Sequence, residues 1–67
     1  MEKEQWGRRI RAFRKLKGFT QAKLANELGI SLSLLGEIER DNRAPSEDLL
    51  SRICLILNVT IDEMRRI

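Results

Sequence analysis

Residues 20–40, TQAKLANELGISLSLLGEIER, constrain the fold more than any other stretch of this chain. Leu24, Leu28, Ile30, Leu35 and Ile38 recur at helical spacing on either side of Gly29. Ala25 and Gly29 are small where two helices must approach closely. Thr20 and Ser31 each stand one residue ahead of an apolar-periodic run, the position where a hydroxyl caps a helix N-terminus. The spacing predicts one helix over Gln21–Leu28 and a second over about Leu32–Arg40, joined by a tight turn at Gly29.

The flanks read the same way. Trp6, Ile10 and Phe13 share one face of a first helix, about Lys3 to Lys17, with the aliphatic stem of Lys17 as a further member of that face. Gly18 ends it, and Phe19 turns back toward the core. Asp41 to Pro45 is a polar loop, since proline disfavours helix at Ala44. Ser46 caps a fourth helix that carries Glu47 and Asp48 in its first turn and a core stripe of Leu50, Ile53, Cys54 and Leu57. Asn58 suits a left-handed terminus. Thr60 caps a short fifth helix with Asp62 and Glu63 early and Arg65 and Arg66 late. No β-alternation, internal repeat or interdomain linker interrupts the pattern. The expectation is an all-α fold, a compact five-helix bundle, in a single domain spanning residues 1–67.

Composition removes other classes. The chain holds no histidine and one cysteine, Cys54, so neither a zinc finger, a zinc-hydrolase site nor an internal disulfide can be built. Cys54 reads as a small core residue in a reducing cytoplasm. With three aromatic residues, Trp6, Phe13 and Phe19, a base-stacking sheet platform is not expected. No apolar run is long enough for a membrane span, and no signal peptide is expected. No phosphate-cradling glycine loop or metal cluster supports catalysis, so no enzyme activity and no cofactor are expected.

Charge points to a polyanion. The net charge is +3, but residues 1–19 carry seven basic groups (Lys3, Arg8, Arg9, Arg11, Arg14, Lys15, Lys17) against Glu2 and Glu4. The surplus therefore sits on the first helix, while the remainder is slightly acidic. Two helices about a tight turn, beside a basic helix, form the pattern of a helix-turn-helix whose second helix can enter a DNA major groove.

The motifs IRAFRKLKGFTQAKLANELGIS, IER and PSEDLLSRICLILNVTIDEM, in that order, resemble the phage-repressor/Cro family, the Xre-type helix-turn-helix domain, from Gly7 to about Met64. The resemblance implies that Gln21, at the start of the second helix, bonds a DNA phosphate. It implies a pair between Arg14 and Glu39 that ties the first helix to the third. Asn42 and Arg43 fall in a loop that meets phosphates or the minor groove in this family. Ser31, Arg11, Arg14 and Arg8 complete the set of candidate backbone contacts.

This sequence departs from the family on the third helix. Its base-reading positions are Leu32, Ser33 and Glu37, where the family usually places Arg, Lys, Gln, Asn, Ser or Thr, and none of the three can make the bidentate guanine contact of Arg or the adenine contact of Gln. Glu37 can accept from a cytosine amino group, Leu32 can pack on a thymine methyl, and Ser33 can bond a base or a phosphate. Glu37 also repels phosphate, which shifts weight onto backbone contacts and DNA shape. Alternatively, Leu32 and Leu34 form an apolar face for a protein partner, which would make the domain an antitoxin-like or anti-repressor-like interaction module. Leu49, Leu55 and Ile56 widen the apolar surface of the fourth helix beyond one core face. They are the candidate dimer surface, at the end through which family members commonly dimerise. The expected function is a sequence-specific transcriptional regulator, a repressor. It would bind double-stranded DNA as a homodimer, on a palindrome with half-sites about 34–36 Å apart.

Overall fold

Among the described residues, four of the five helices begin at a hydroxyl. In the computed structural model, which describes residues 5–66, the helices are α1 (Trp6–Leu16), α2 (Gln21–Leu28), α3 (Leu32–Glu39), α4 (Glu47–Leu57) and α5 (Ile61–Arg65). The side chains of Thr20, Ser31, Ser46 and Thr60 accept from the backbone N–H groups of Lys23, Leu34, Leu49 and Glu63. Each satisfies a donor that the first helical turn leaves unpaired. Glu63 returns the favour by accepting from the Thr60 N–H at 2.9 Å, which completes a capping box. α1 starts after Gln5 without a side-chain cap, and the predicted onset at Lys3 lies outside the described residues.

The first four helices also end alike. In each, the residue after the C-cap takes or borders a left-handed turn, and two backbone bonds fold back over the last carbonyls. At α1, Phe19 N–H donates to Arg14 and Gly18 N–H to Lys15; at α2, Ile30 donates to Ala25 and Gly29 to Asn26. At α4, Val59 donates to Cys54 and Asn58 to Leu55. Gly18, Gly29 and Asn58 were legible as terminators. The α3 terminator was not: Asp41 takes φ 61° there, with Asn42 N–H donating to Glu37 and Asp41 N–H to Ile38. α3 accordingly stops at Glu39, with Arg40 as its cap.

These turns fold the apolar stripes onto one another. Ile10, Leu24, Leu28, Leu35, Ile38, Ile53, Leu57 and Met64 are the largest fully buried side chains. α1 packs on α3, α4 and α5, and α2 packs on α3 and α4. Phe13, Phe19 and Trp6 close the rim of this core. Lys17 is exposed, so its stem does not join the α1 face. Among the described residues, no helix is long and apolar enough to cross a membrane, and no group of three or more potential ligands could hold a metal ion.

Gly7 sets how closely α1 meets α3. A Cβ there would lie 2.3 Å from the carbonyl oxygen of Ile38 and 2.8 Å from that of Glu39. Glycine alone lets the start of α1 cross the end of α3 at this separation. The contact fixes the tilt of α3, and with it the face α3 presents outward.

Candidate nucleic-acid interface

α3 is held from behind by an ion pair. Arg14 Nε donates to Glu39 Oε2 at 2.7 Å and Arg14 Nη2 donates to Glu39 Oε1 at 3.0 Å, the bidentate geometry that suits guanidinium and carboxylate. Both residues are only 7% exposed. Arg14 Nη1 donates to the Phe19 carbonyl at 2.9 Å. Gln21 Nε2 adds a third bond to Glu39, on Oε1, at 3.1 Å. One carboxylate thus joins α1, the start of α2 and the end of α3.

This cluster bears on one expectation from sequence. Arg14, expected to meet a phosphate, is buried, and each of its three guanidinium nitrogens already donates one bond within the protein. Its part is to hold α3. Gln21 is half-buried and spends one amide N–H on Glu39, while that nitrogen carries a second donor.

Around the same cluster lies a notch of about 290 Å³ lined by Arg11, Arg14, Gln21, Glu39 and Arg40. Arg14 already balances Glu39, so exposed Arg11 and Arg40 supply its net positive charge. Arg40 was missed in the sequence. It stands at the very end of α3 and looks like an ordinary C-terminal cation. The structural sign is Gly36, buried on α3, where a Cβ would lie 3.2 Å from Arg40 Nη1. The glycine leaves room for the Arg40 side chain to fold back along the helix.

On α3, Leu32 and Ser33 are exposed and Glu37 is half-exposed, whereas Leu35, Ile38 and Glu39 are buried. Ser33 and Glu37 are four residues apart and share a face. Leu34 is half-buried against the core, so the two-leucine patch expected on this helix reduces to Leu32 alone. Ser31 is exposed at the α3 N-terminus with its hydroxyl oxygen accepting from Leu34. Asn42 and Arg43 are exposed just past the α3 turn, and Arg8 is exposed on α1.

The expected dimer residues do not form one patch. Leu49 and Ile56 are half-buried against the core, because seven residues bring them back to one stripe of α4. Leu55, by contrast, is 81% exposed. It borders a groove of about 540 Å³ whose other apolar walls include Trp6, Leu50, Cys54, Val59 and Ile61. Glu47 and Arg65 also line it. The guanidinium carbons of Arg9 and Arg65 lie 5.3 and 5.5 Å from the centre of the Trp6 ring, within cation–π reach. Burial pushes the Cys54 thiol above its ordinary pKa, as suits a packing residue rather than a nucleophile.

Known proteins share this fold. A helix-turn-helix family model matches residues 10–64. The chain is 59% identical over 64 residues to the uncharacterised HTH-type transcriptional regulator YazB of Bacillus subtilis (strain 168), covering 96% of this chain and 93% of YazB. It is 38% identical over 55 residues to the immunity repressor protein of Bacillus phage phi105, covering 82% of this chain but only 38% of that protein. Among solved structures, it resembles that of SinR, a master regulator for biofilm formation, in complex with DNA. The TM-score is 0.79 at 33% identity, over 88% of this chain and 95% of that one.

Proposed function

The chain belongs to the helix-turn-helix family of DNA-binding transcriptional regulators, and from that premise we propose that it is a repressor acting in the cytoplasm as a homodimer on a short palindromic operator. The observation that carries this reading is the two-sidedness of α3. One side is fixed in the core by Leu35, Ile38 and the Arg14–Glu39 pair, and the other offers Leu32, Ser33 and Glu37 to an outside surface.

In this account α3 enters the major groove and those three side chains meet base edges. The N-terminus of α2 with Gln21, the exposed Arg11 and Ser31, and the loop residues Asn42 and Arg43 meet the phosphates on either side. Repression needs no chemistry: a bound dimer occupies DNA that polymerase requires. The groove beside Leu55 supplies the dimer contact. It combines a protruding leucine, an apolar recess and charges of both signs, which a self-complementary two-fold interface can use. The interaction-module reading is less favoured, because Leu34 is half-buried against the core and Leu32 alone stands exposed.

Selection of binders by the purified chain from a random duplex library, at one fixed salt, tests the proposal. Enrichment of a palindrome is the expected result. Salt-sensitive retention of all sequences alike would reduce the activity to backbone binding and remove the claim of sequence specificity.

A further inference from the structure

An acid on the DNA-facing side of a recognition helix is an electrostatic liability. Glu37 has a side chain 47% exposed and sits on the face shared with Ser33. Any approach to a duplex carries its carboxylate toward phosphates. The structure gives that carboxylate a counter-charge: Arg43 Nη1 lies 4.0 Å from Glu37 Oε1.

The backbone brings the two together. The α3 terminus closes with Asn42 N–H donating to the carbonyl of Glu37 itself at 2.9 Å. The residue before Arg43 is therefore tied to the residue that bears the acid. Asp41 N–H donates to Ile38 at 3.1 Å, and Asp41 Oδ1 accepts from Gly7 N–H at 3.0 Å. The turn that presents Arg43 is fixed to both α3 and α1.

We propose that Glu37 and Arg43 form one reading unit, in which Arg43 offsets and aims the Glu37 carboxylate so that α3 selects a base offering an exocyclic amino group in the major groove, cytosine above all. This rests on the DNA-binding reading above and adds Arg43 to the residues that set specificity. A carboxylate has two acceptor oxygens, so contact with Arg43 through Oε1 leaves Oε2 for the base amino N–H. The guanidinium side chain is 64% exposed. A pair this open contributes little to folding. Its charge matters once DNA excludes water from around it.

The test compares base preference at each operator position for the wild-type chain, Arg43→Gln, Arg43→Lys, Glu37→Gln and the double variant Glu37→Gln with Arg43→Gln, all at one salt. Thermal unfolding run alongside should be nearly unchanged, since the Arg43 side chain is exposed and that of Glu37 is half-exposed. Arg43→Gln should lower overall affinity and also reduce the cytosine preference at one position per half-site by about two- to fivefold, the span open to an exposed pair. Arg43→Lys should keep most of that preference. Glu37→Gln should abolish it at the same position, and adding Arg43→Gln to that background should weaken all sequences by one common factor. If Arg43→Gln alone weakens all sequences equally and leaves the preference intact, Arg43 is a phosphate contact only and the inference is overturned. It is also overturned if Glu37→Gln alters no preference while wild type retains one. A wild-type chain that shows no base preference at all would instead remove the sequence-reading proposal on which the unit depends.

Discussion

The backbone N–H of Gly7 donates to Oδ1 of Asp41 across 34 positions of sequence, and it fastens the first turn of α1 to the turn that ends α3. Asp41 holds a left-handed conformation there, which aspartate tolerates better than most residues. The hydrogen bond, the turn and the close helix crossing at Gly7 form a single joint. That joint places the loop carrying Asn42 and Arg43.

Gly7→Ala should break the joint. The new methyl would meet a backbone oxygen, which cannot swing aside as a side chain can. The expected loss is about 2–4 kcal/mol, larger than the roughly 1 kcal/mol that alanine gains in helix propensity. In a domain of this size each kcal/mol lowers the Tm by about 4–8 °C, so calorimetry or circular dichroism reads the effect directly. Asp41→Asn keeps an acceptor and tolerates the left-handed backbone, and should unfold close to wild type. Asp41→Ala should lose about 1–3 kcal/mol, from the unpaired N–H and the backbone strain.

Breaking the Arg14–Glu39 pair should cost more than any surface substitution. Arg14→Met leaves Glu39 buried without its principal partner, and a loss of about 3–5 kcal/mol is expected in chemical denaturation. Replacing both residues, Arg14→Met with Glu39→Leu, should recover a substantial part of that stability. The doubly substituted chain should still bind DNA more weakly than wild type, because nothing then aligns Gln21 with the end of α3.

Most of this architecture was legible because it rests on local rules. Thr20, Ser31, Ser46 and Thr60 announce helix starts through their hydroxyls, and Gly18, Gly29 and Asn58 announce ends through their tolerance of positive φ. The core stripes follow from helical spacing. The joint at Gly7 and Asp41 was not legible, since nothing local distinguishes a glycine in a first helical turn or an aspartate in a polar loop. Leu34 and Leu55 show the same limit on the surface. Both look like surplus leucines on amphipathic helices, and only the tilt of α3 and α4 decides that one packs inward and the other projects. Arg40 and the link from Glu37 to Arg43 depend on how the α3 terminus folds back, which spacing does not encode.

Ser31 separates capping from DNA contact. Ser31→Asp keeps an oxygen that can accept from Leu34 N–H and should leave stability nearly unchanged, whereas Ser31→Ala should cost about 1 kcal/mol. If the α3 N-terminus faces phosphates, the new charge should lower DNA affinity well below that of the alanine variant. Fluorescence anisotropy on a labelled duplex, paired with thermal melts, resolves the two effects.

The α5 cap should weaken in acid. The backbone N–H of Thr60 bonds the Glu63 carboxylate and, with the Thr60 side chain, holds its pKa below the ordinary glutamate value. A depressed folded-state pKa contributes stability that is present above the unfolded-state pKa and lost as pH falls through the folded-state value. Tm measured from neutral pH downward should therefore fall less steeply for Glu63→Gln than for wild type. The variant should also start lower at neutral pH.

Leu55→Ser should leave folding intact, since the side chain is almost fully exposed, and should shift the chain to monomer in sedimentation equilibrium. Affinity for a palindrome should fall toward that for a single half-site. An unchanged mass and affinity would move the dimer contact away from this groove.

The most direct measurement is a map of backbone amide resonances on titration with the selected duplex. The account predicts perturbations concentrated at Gln21, at Ser31 to Glu37, and at Asn42 and Arg43, with the groove around Leu55 unaffected by DNA once dimer formation is saturated. Perturbations centred on that groove, with Leu32, Ser33 and Glu37 silent, would contradict the claim that the outward face of α3 is the surface that reads DNA.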